Sequence, residues 1–228
     1  MGDDPTPSAA GEYPKGWSWP RFTRNALVIA GVIALGVWAW TSNIAPDLHP
    51  KNFGVVDEGA VYRAGRLTPE AIREIVQTRG VRTIVDLGAH ESGSRGERRE
   101  ERTAEALDVT LHHYPLFGDG QGDPNQYVRA LRVMTDPEAQ PVLVHCAAGS
   151  ERTGVAVALY RIIVENATLE SAMDEAREYH HDPLKNPHLR EMVETWREPI
   201  AQALHDGGTI PYEGPTPESA RASNEPRP

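Results

Sequence analysis

One short passage, His145-Cys146-Ala147-Ala148-Gly149-Ser150-Glu151-Arg152-Thr153-Gly154, holds the only cysteine of the chain, with five residues between it and an arginine. A thiol close to a guanidinium and to the start of a helix is held as the thiolate, because both favour the negative form. Such a group is a nucleophile. The planar fork of Arg152 can grip two oxygens of a phosphoryl group, and more tightly as they spread toward a trigonal bipyramid, so its effect belongs in turnover as well as binding.

The flanking residues set this passage at a junction between a strand and a helix. Pro141-Val142-Leu143-Val144 is a short apolar run of the kind that forms a buried parallel strand. Gly154-Val155-Ala156-Val157-Ala158-Leu159-Tyr160 continues as a helix. A helix that opens there leaves backbone N–H groups without intrahelical partners, and its dipole adds a positive end, so a phosphate dianion fits the loop.

The passage resembles the Cys-x5-Arg loop of the protein tyrosine phosphatase superfamily, matching His-Cys-x-x-Gly-x-x-Arg-Ser/Thr-Gly at each fixed position. A looser resemblance to the compact dual-specificity-like branch, in its bacterial membrane-anchored form, runs from about Asn52 to about Ala203. The resemblance implies that Cys146 forms a phosphocysteine, that Arg152 holds the phosphoryl group and that the Thr153 hydroxyl bonds the sulfur to ease its departure. His145 would order the loop from behind, and Ala147, Ala148, Gly149, Ser150, Glu151 and Arg152 would cradle the phosphate. The plain alternative, a small buried apolar cysteine, leaves the agreement of the fixed positions unexplained.

A leaving alkoxide or phenolate must be protonated, so a carboxylic acid belongs on a mobile loop that closes over the phosphate. The run Val109 to Leu116 reads as a strand that passes into Phe117-Gly118-Asp119-Gly120-Gln121-Gly122-Asp123-Pro124, whose glycines mark a flexible loop. By the resemblance, Asp119 stands closest to the place of the general acid, and the same group would later activate water. Asp123 is the rival, although its position before Pro124 and a helical pattern suits an N-cap. The chemistry demands no metal or organic cofactor. His112-His113 and His180-His181-Asp182 lack the spacing of a zinc site and read as surface or packing residues.

Around these residues the elements alternate. Phe53–Val56 and Ala60–Arg63 form an opening hairpin with its turn at Glu58-Gly59, and Thr68-Pro69-Glu70 starts a helix with Thr68 as cap. Val81–Leu87 is a strand, and a charged helix runs from about Arg95 to Leu107, with Glu97–Arg102 as a solvated face. Thr168 opens a helix to about Tyr179, and a last one runs from about Pro187 to Ala203. This order predicts an α/β domain with a mostly parallel sheet covered on both faces. Val61-Tyr62-Arg63-Ala64-Gly65-Arg66 resembles the Tyr-Arg-Ser-Gly-Gln opening of bacterial dual-specificity-like phosphatases, with Arg66 in place of Gln. Arg63 then stands either behind the site or in a structural ion pair.

Ala26 to Trp40 carries no charge, but at 1.5 Å per residue it covers only about 22 Å, so it needs its flanks to reach the roughly 30 Å of a bilayer. With Arg21 and Arg24 able to snorkel and tryptophans at both ends, residues 21–45 are expected to form an uncleaved membrane anchor. The lysine and arginine bias puts the N-terminus in the cytoplasm and the catalytic domain outside the inner membrane. The organisation expected is a disordered tail over 1–20, the anchor over 21–45, the phosphatase domain over 46–205 and a disordered Pro- and Gly-rich tail over 206–228.

A formal charge of −10 speaks against a nucleic-acid partner. Ala147 and Ala148 are uncharged and Glu151 is acidic, whereas highly charged inositol phosphates would favour lysines there. The expected partner is a phosphorylated protein, bearing phosphotyrosine with or without phosphoserine and phosphothreonine. The alternatives are an inositol or lipid phosphate, or a tethered phosphate-binding module that has lost catalysis.

Overall fold

The structure is a computed structural model and describes residues 19–39 and 50–224. The chain divides into two compact units, residues 1–42 and 43–228.

In the first unit, helix α1 spans Trp19–Ala39. Its apolar side chains are exposed from Leu27 to Trp38. Among the described residues no helix is long and apolar enough to cross a membrane. The anchor expected over 21–45 is therefore not found as a spanning helix. Its charge-free part is short of a bilayer by itself, and residues 40–45, like the tail residues 1–18, lie outside the described residues.

In the second unit, five short strands form one sheet in the order β1-β2-β5-β3-β4. These are β1 (Gly54–Asp57), β2 (Val61–Ala64), β3 (Thr83–Asp86), β4 (Thr110–His113) and β5 (Val142–His145). The β1–β2 pair is antiparallel and the other pairs are parallel, which bears out the mostly parallel sheet. Helices α2 (Pro69–Arg79), α3 (Arg95–Ala106), α4 (Pro124–Thr135), α5 (Glu151–Ile163), α6 (Leu169–Glu178), α7 (His188–Asp206) and α8 (Pro217–Asn224) complete the unit.

Local signals account for the helix starts. Thr68 caps α2 by accepting the N–H of Ala71 at 3.1 Å, Pro69 fills the first helical position, and Gly80 ends the helix in the left-handed conformation. Thr168 caps α6 in the same way through the N–H of Ser171.

Side-chain alternation along the strands gives the sheet two apolar faces. Val85, Val142 and Val144 pack with buried residues of α4, α5, α6 and α7, whereas Tyr62, Ala64, Ile84 and Leu143 pack with α2 and α3. Helix α5 is buried from Arg152 to Tyr160, so it runs through the core and its N-terminus is fixed at the C-terminal edge of the sheet. That edge, where neighbouring strands hand over to loops, is where open α/β sheets place their ligand sites.

The C-terminal tail departs from expectation. Residues 206–224 are not disordered: Ile210 exchanges hydrogen bonds with the Asn125 side chain at 2.8 and 2.9 Å, and Tyr212 packs edge-on against Trp196 at 6.1 Å. Composition concealed this, because Ile210 and Tyr212, and the Gly208 carbonyl that accepts from Arg132 Nη2 at 2.6 Å, are scattered through a Pro- and Gly-rich stretch.

Candidate active site

The register of the sheet assembles the site. Ala64 of β2, His145 of β5, Asp86 of β3 and His113 of β4 form one row across the strand ends. The phosphate loop starts immediately after His145. Cys146 is buried, and its Sγ accepts the N–H of Gly149 at 3.2 Å. Gly149 has φ +77°, and a Cβ there would lie 2.6 Å from the backbone nitrogen of Gly65, so only glycine lets the loop pass so close to the end of β2.

Neighbouring elements hold the loop through its carbonyls. Asn52 Nδ2 donates to Ala148 O at 2.9 Å, the N–H of Arg66 to Ala147 O at 3.0 Å, and Arg63 Nη2 to Gly149 O at 2.8 Å. With the carbonyls occupied from behind, the loop's N–H groups are free to face inward. Arg152 lies in the first turn of α5, nearly buried, and its Nη1 donates to the carbonyls of Leu87 and Gly88. Ser150 precedes the helix without a side-chain cap, which leaves the helix start to a ligand. Thr153 Oγ1 is buried without a hydrogen-bond partner, so the donor to the sulfur in this structure is Gly149 rather than Thr153.

Behind the loop lies a buried charge network. His145 is fully buried, with Nε2 2.9 Å from Glu100 Oε1 and 4.0 Å from Asp86 Oδ1. Burial disfavours its charge, but Glu100 and Asp86 outweigh burial and push it up to about 9. Asp86 Oδ1 accepts the N–H groups of Gly88 and Ala89 at 2.8 and 2.6 Å, and Oδ2 lies 3.2 Å from His113 Nδ1. Burial would raise Asp86, yet His113, His145 and the backbone donors hold it below the usual carboxylate range. Burial pulls on His113 too, but the Asp86 contact is stronger and raises it.

The solvated face expected over Glu97–Arg102 is thus corrected at Glu100, which is 2% exposed. The buried face of α3 is Glu100, Thr103 and Ala104, at three- and four-residue spacing. Glu97, Glu101 and His113 bring ligand-type atoms within 4.8 Å of one another, but Glu97 already accepts the N–H of Gly93 in the cap of α3. His181 is not a surface residue either. It is buried, and its Nδ1 lies 2.9 Å from Glu151 Oε2 at the start of α5.

The two candidate acids separate cleanly. Asp123 is the N-cap of α4, with Oδ1 accepting the N–H of Asn125 at 2.9 Å and its Nδ2 at 2.7 Å. Asp119 lies partly exposed on the loop before α4, its Oδ1 accepting only the N–H of Gln121 at 3.0 Å. Asn186 Nδ2 donates to the Asp119 carbonyl at 3.2 Å, and the Tyr127 hydroxyl donates to Gly120 O at 2.7 Å, which fixes the loop near the start of α5. Asp119 also acts on Glu151, whose carboxyl is raised by burial against the pull of His181 and Asn186, with Asp119 adding to the rise. The structure therefore brings Cys146, Arg152, Glu151 and Asp119 to one edge of the sheet.

The fold and this loop are those of the cysteine-dependent phosphatases of the dual-specificity-like type. More particularly, the chain belongs to the family described as "DSP-PTPase phosphatase fused to NAD+ Kinase", whose profile matches residues 47–194. An inositol diphosphatase of Arabidopsis thaliana, DSP3, is 29% identical over 132 residues, covering 55% of this chain and 61% of that protein. An inositol diphosphatase of Oryza sativa subsp. japonica, DSP2, is 28% identical over 144 residues, covering 61% of this chain and 67% of that protein. The chain thus spans about three fifths to two thirds of the length of these relatives. Among solved structures, the catalytic core of SIW14 superposes with a TM-score of 0.58 at 20% identity, covering 69% of this chain and 92% of that one. TpbA of P. aeruginosa gives 0.56 at 21% identity, covering 68% and 91%. At these identities the superpositions speak for the fold.

Proposed function

We propose that this protein hydrolyses phosphate monoesters on proteins, phosphotyrosine foremost and phosphoserine and phosphothreonine in the same class, through a phosphocysteine on Cys146. The observation that carries the reading is the buried Cys146 sulfur, hydrogen-bonded by Gly149 at 3.2 Å, one loop ahead of Arg152 at the head of α5. The thiolate attacks phosphorus as the bond to the leaving oxygen breaks, and the Asp119 carboxyl protonates that oxygen. Water then attacks the phosphocysteine, its proton passes to the Asp119 carboxylate, and sulfur departs as the thiolate. Arg152 and the loop N–H groups stabilise the equatorial oxygens, which carry more charge in the transition state than in the bound ester. The Gly149 N–H stabilises the departing sulfur, and the unpartnered hydroxyl of Thr153 is available to turn to it.

The substrate preference rests on the loop's charges. Ala147 and Ala148 add none, and Glu151 stands beside Arg152 with its carboxyl paired to His181. A carboxylate there disfavours a head group bearing several phosphates more than a single aryl phosphate. The relatives named as inositol diphosphatases favour a second reading, in which the substrate is an inositol diphosphate. Initial rates of the full chain on a phosphotyrosine peptide, a phosphoserine peptide and a diphosphoinositol phosphate, at equal concentration, separate the two. The first reading expects the phosphotyrosine peptide to be fastest, and a dominant rate on the inositol compound would replace it.

The exposed apolar side chains of α1, among them Leu27, Ile29, Ile33 and Leu35, support attachment to a membrane, and the lysine and arginine bias ahead of them supports a cytoplasmic N-terminus. Recovery of the full chain in the membrane fraction after alkaline extraction is the expected outcome. Its release into the supernatant would end that reading.

A further inference from the structure

Arg63 is a large side chain with no exposure at all. It comes from β2, paired in register with Val144, two residues before Cys146, so strand alternation sets it on the face of the sheet to which Cys146 belongs. Its Nη2 donates to Gly149 O at 2.8 Å, and its Cζ lies over the Tyr179 ring, 3.7 Å from the ring centre. Its Nε and Nη1 are buried without a hydrogen-bond partner. The structural ion pair open to it from sequence does not form. Glu175, the acid whose field reaches it, is held by Arg161 at 2.8 and 3.2 Å.

A buried cation without a carboxylate is costly unless another anion offsets it. Burial lowers Arg63 to about 10, with Tyr179, Glu175 and Cys146 acting against that fall and Arg161 adding to it. The group therefore stays charged at neutral pH. Beside Tyr179 and the Arg161-bound Glu175, the group that acts to keep Arg63 charged is Cys146, which carries the reacting sulfur and the phosphoryl group it accepts. Arg152, by contrast, spends Nη1 on the carbonyls of Leu87 and Gly88, on the far side of the loop.

We propose that Arg63 is a positioning residue for phosphoryl transfer: from behind the loop its charge favours the Cys146 thiolate, and its Nη2 fixes Gly149, whose N–H reaches the sulfur. The proposal rests on the thiolate chemistry assigned above. Beyond resemblance, it gives the arginine of the Tyr-Arg opening a physical task and links β2 to the reacting atom through one residue.

The test is the rate of Cys146 alkylation by iodoacetamide from pH 4 to 10, on the full chain, with thermal melts to confirm folding. Arg63→Lys, which keeps the charge, is expected to react with the midpoint of the wild type. Arg63→Met is expected to move the midpoint upward by about one pH unit. Arg63→Gln, which keeps a donor for Gly149 but no charge, carries the same test if the methionine variant does not fold. A folded Arg63→Met or Arg63→Gln with the wild-type midpoint overturns the proposal, as does an Arg63→Lys midpoint as high as that of the neutral variants. A wild-type midpoint already at that of a free thiol would overturn the thiolate reading beneath it, which is a different failure.

Discussion

The phosphate loop and the acid loop face the same substrate but are held in opposite ways. The loop after β5 is tied by Asn52, Arg63 and Arg66, residues roughly eighty to a hundred positions away in sequence, and is backed by the His145–Glu100 pair. The loop carrying Asp119 combines its own turn bonds, Phe117 to Gln121 and Gly120 to Phe117, with side-chain ties from Tyr127, Asn186 and His188, while the Asp119 carboxylate itself accepts the N–H of Gln121 two residues on. Gly120 adopts φ +92° within it. The cradle of the nucleophile is thus preorganised by long-range bonds to its carbonyls, whereas the carboxylate of the acid is held by one local bond that opens at low cost. That difference suits a reaction in which the phosphoryl cradle must not move and the proton donor must close over each new substrate.

Variants can break each side separately. Cys146→Ser is expected to lower turnover by at least about 10⁴-fold while the protein stays folded, since the hydroxyl is a far weaker nucleophile at neutral pH. Steady-state hydrolysis of p-nitrophenyl phosphate with a thermal melt checks both halves. Arg152→Lys keeps a charge but loses the two-pronged grip on the equatorial oxygens, and about 10² to 10³-fold should be lost from kcat/KM. Asp119→Asn should cost about 10²-fold on an alkyl phosphate and much less on p-nitrophenyl phosphate, whose leaving group needs little protonation. Asp123→Asn, at the cap of α4, should leave that ratio untouched.

The rear of the phosphate loop makes a stability prediction. His145 is raised to about 9 in the folded state from an ordinary value near 6.5, so its protonated form contributes stability that is complete below about 6.5 and is lost as pH rises toward 9. Chemical denaturation of the wild type across that window should show stability falling with pH. Glu100→Gln should flatten the slope and cost about 3 kcal/mol near pH 6.5, where the buried imidazolium loses its partner. A slope unchanged in Glu100→Gln would mean that the pair does not back the loop.

Much of this site was legible because its signals are local. The Cys146 to Arg152 spacing, the β-branched run before it and the apolar helix after it located the cradle, and Pro124 after Asp123 already suggested a cap rather than an acid. What the sequence concealed depends on register. Asp86 and His145 become neighbours only when β3 and β5 pair in parallel, and Glu100 reaches His145 only because α3 packs on that face. In one dimension Glu100 is one charge in a charged run. The pairing of Glu151 with His181 is likewise long-range, set by the segment between α6 and α7. The strand expected over Val109–Leu116 shortens to Thr110–His113, because Tyr114 to Leu116 already leave the sheet for the acid loop.

The central claim is covalent catalysis by Cys146, and quenching of the full chain with a denaturing detergent at mildly alkaline pH during turnover of p-nitrophenyl phosphate tests it most directly, with mass spectrometry of the peptide that carries the cysteine, digested and analysed without acid. The account predicts one phosphoryl group on Cys146 in the wild type, labile to acid as an S-phosphoryl group is, and accumulating further in Asp119→Asn as loss of the base slows hydrolysis of the intermediate. Sustained turnover with no phosphoryl group on that peptide in either protein, and with Cys146→Ser as active as the wild type, would contradict it.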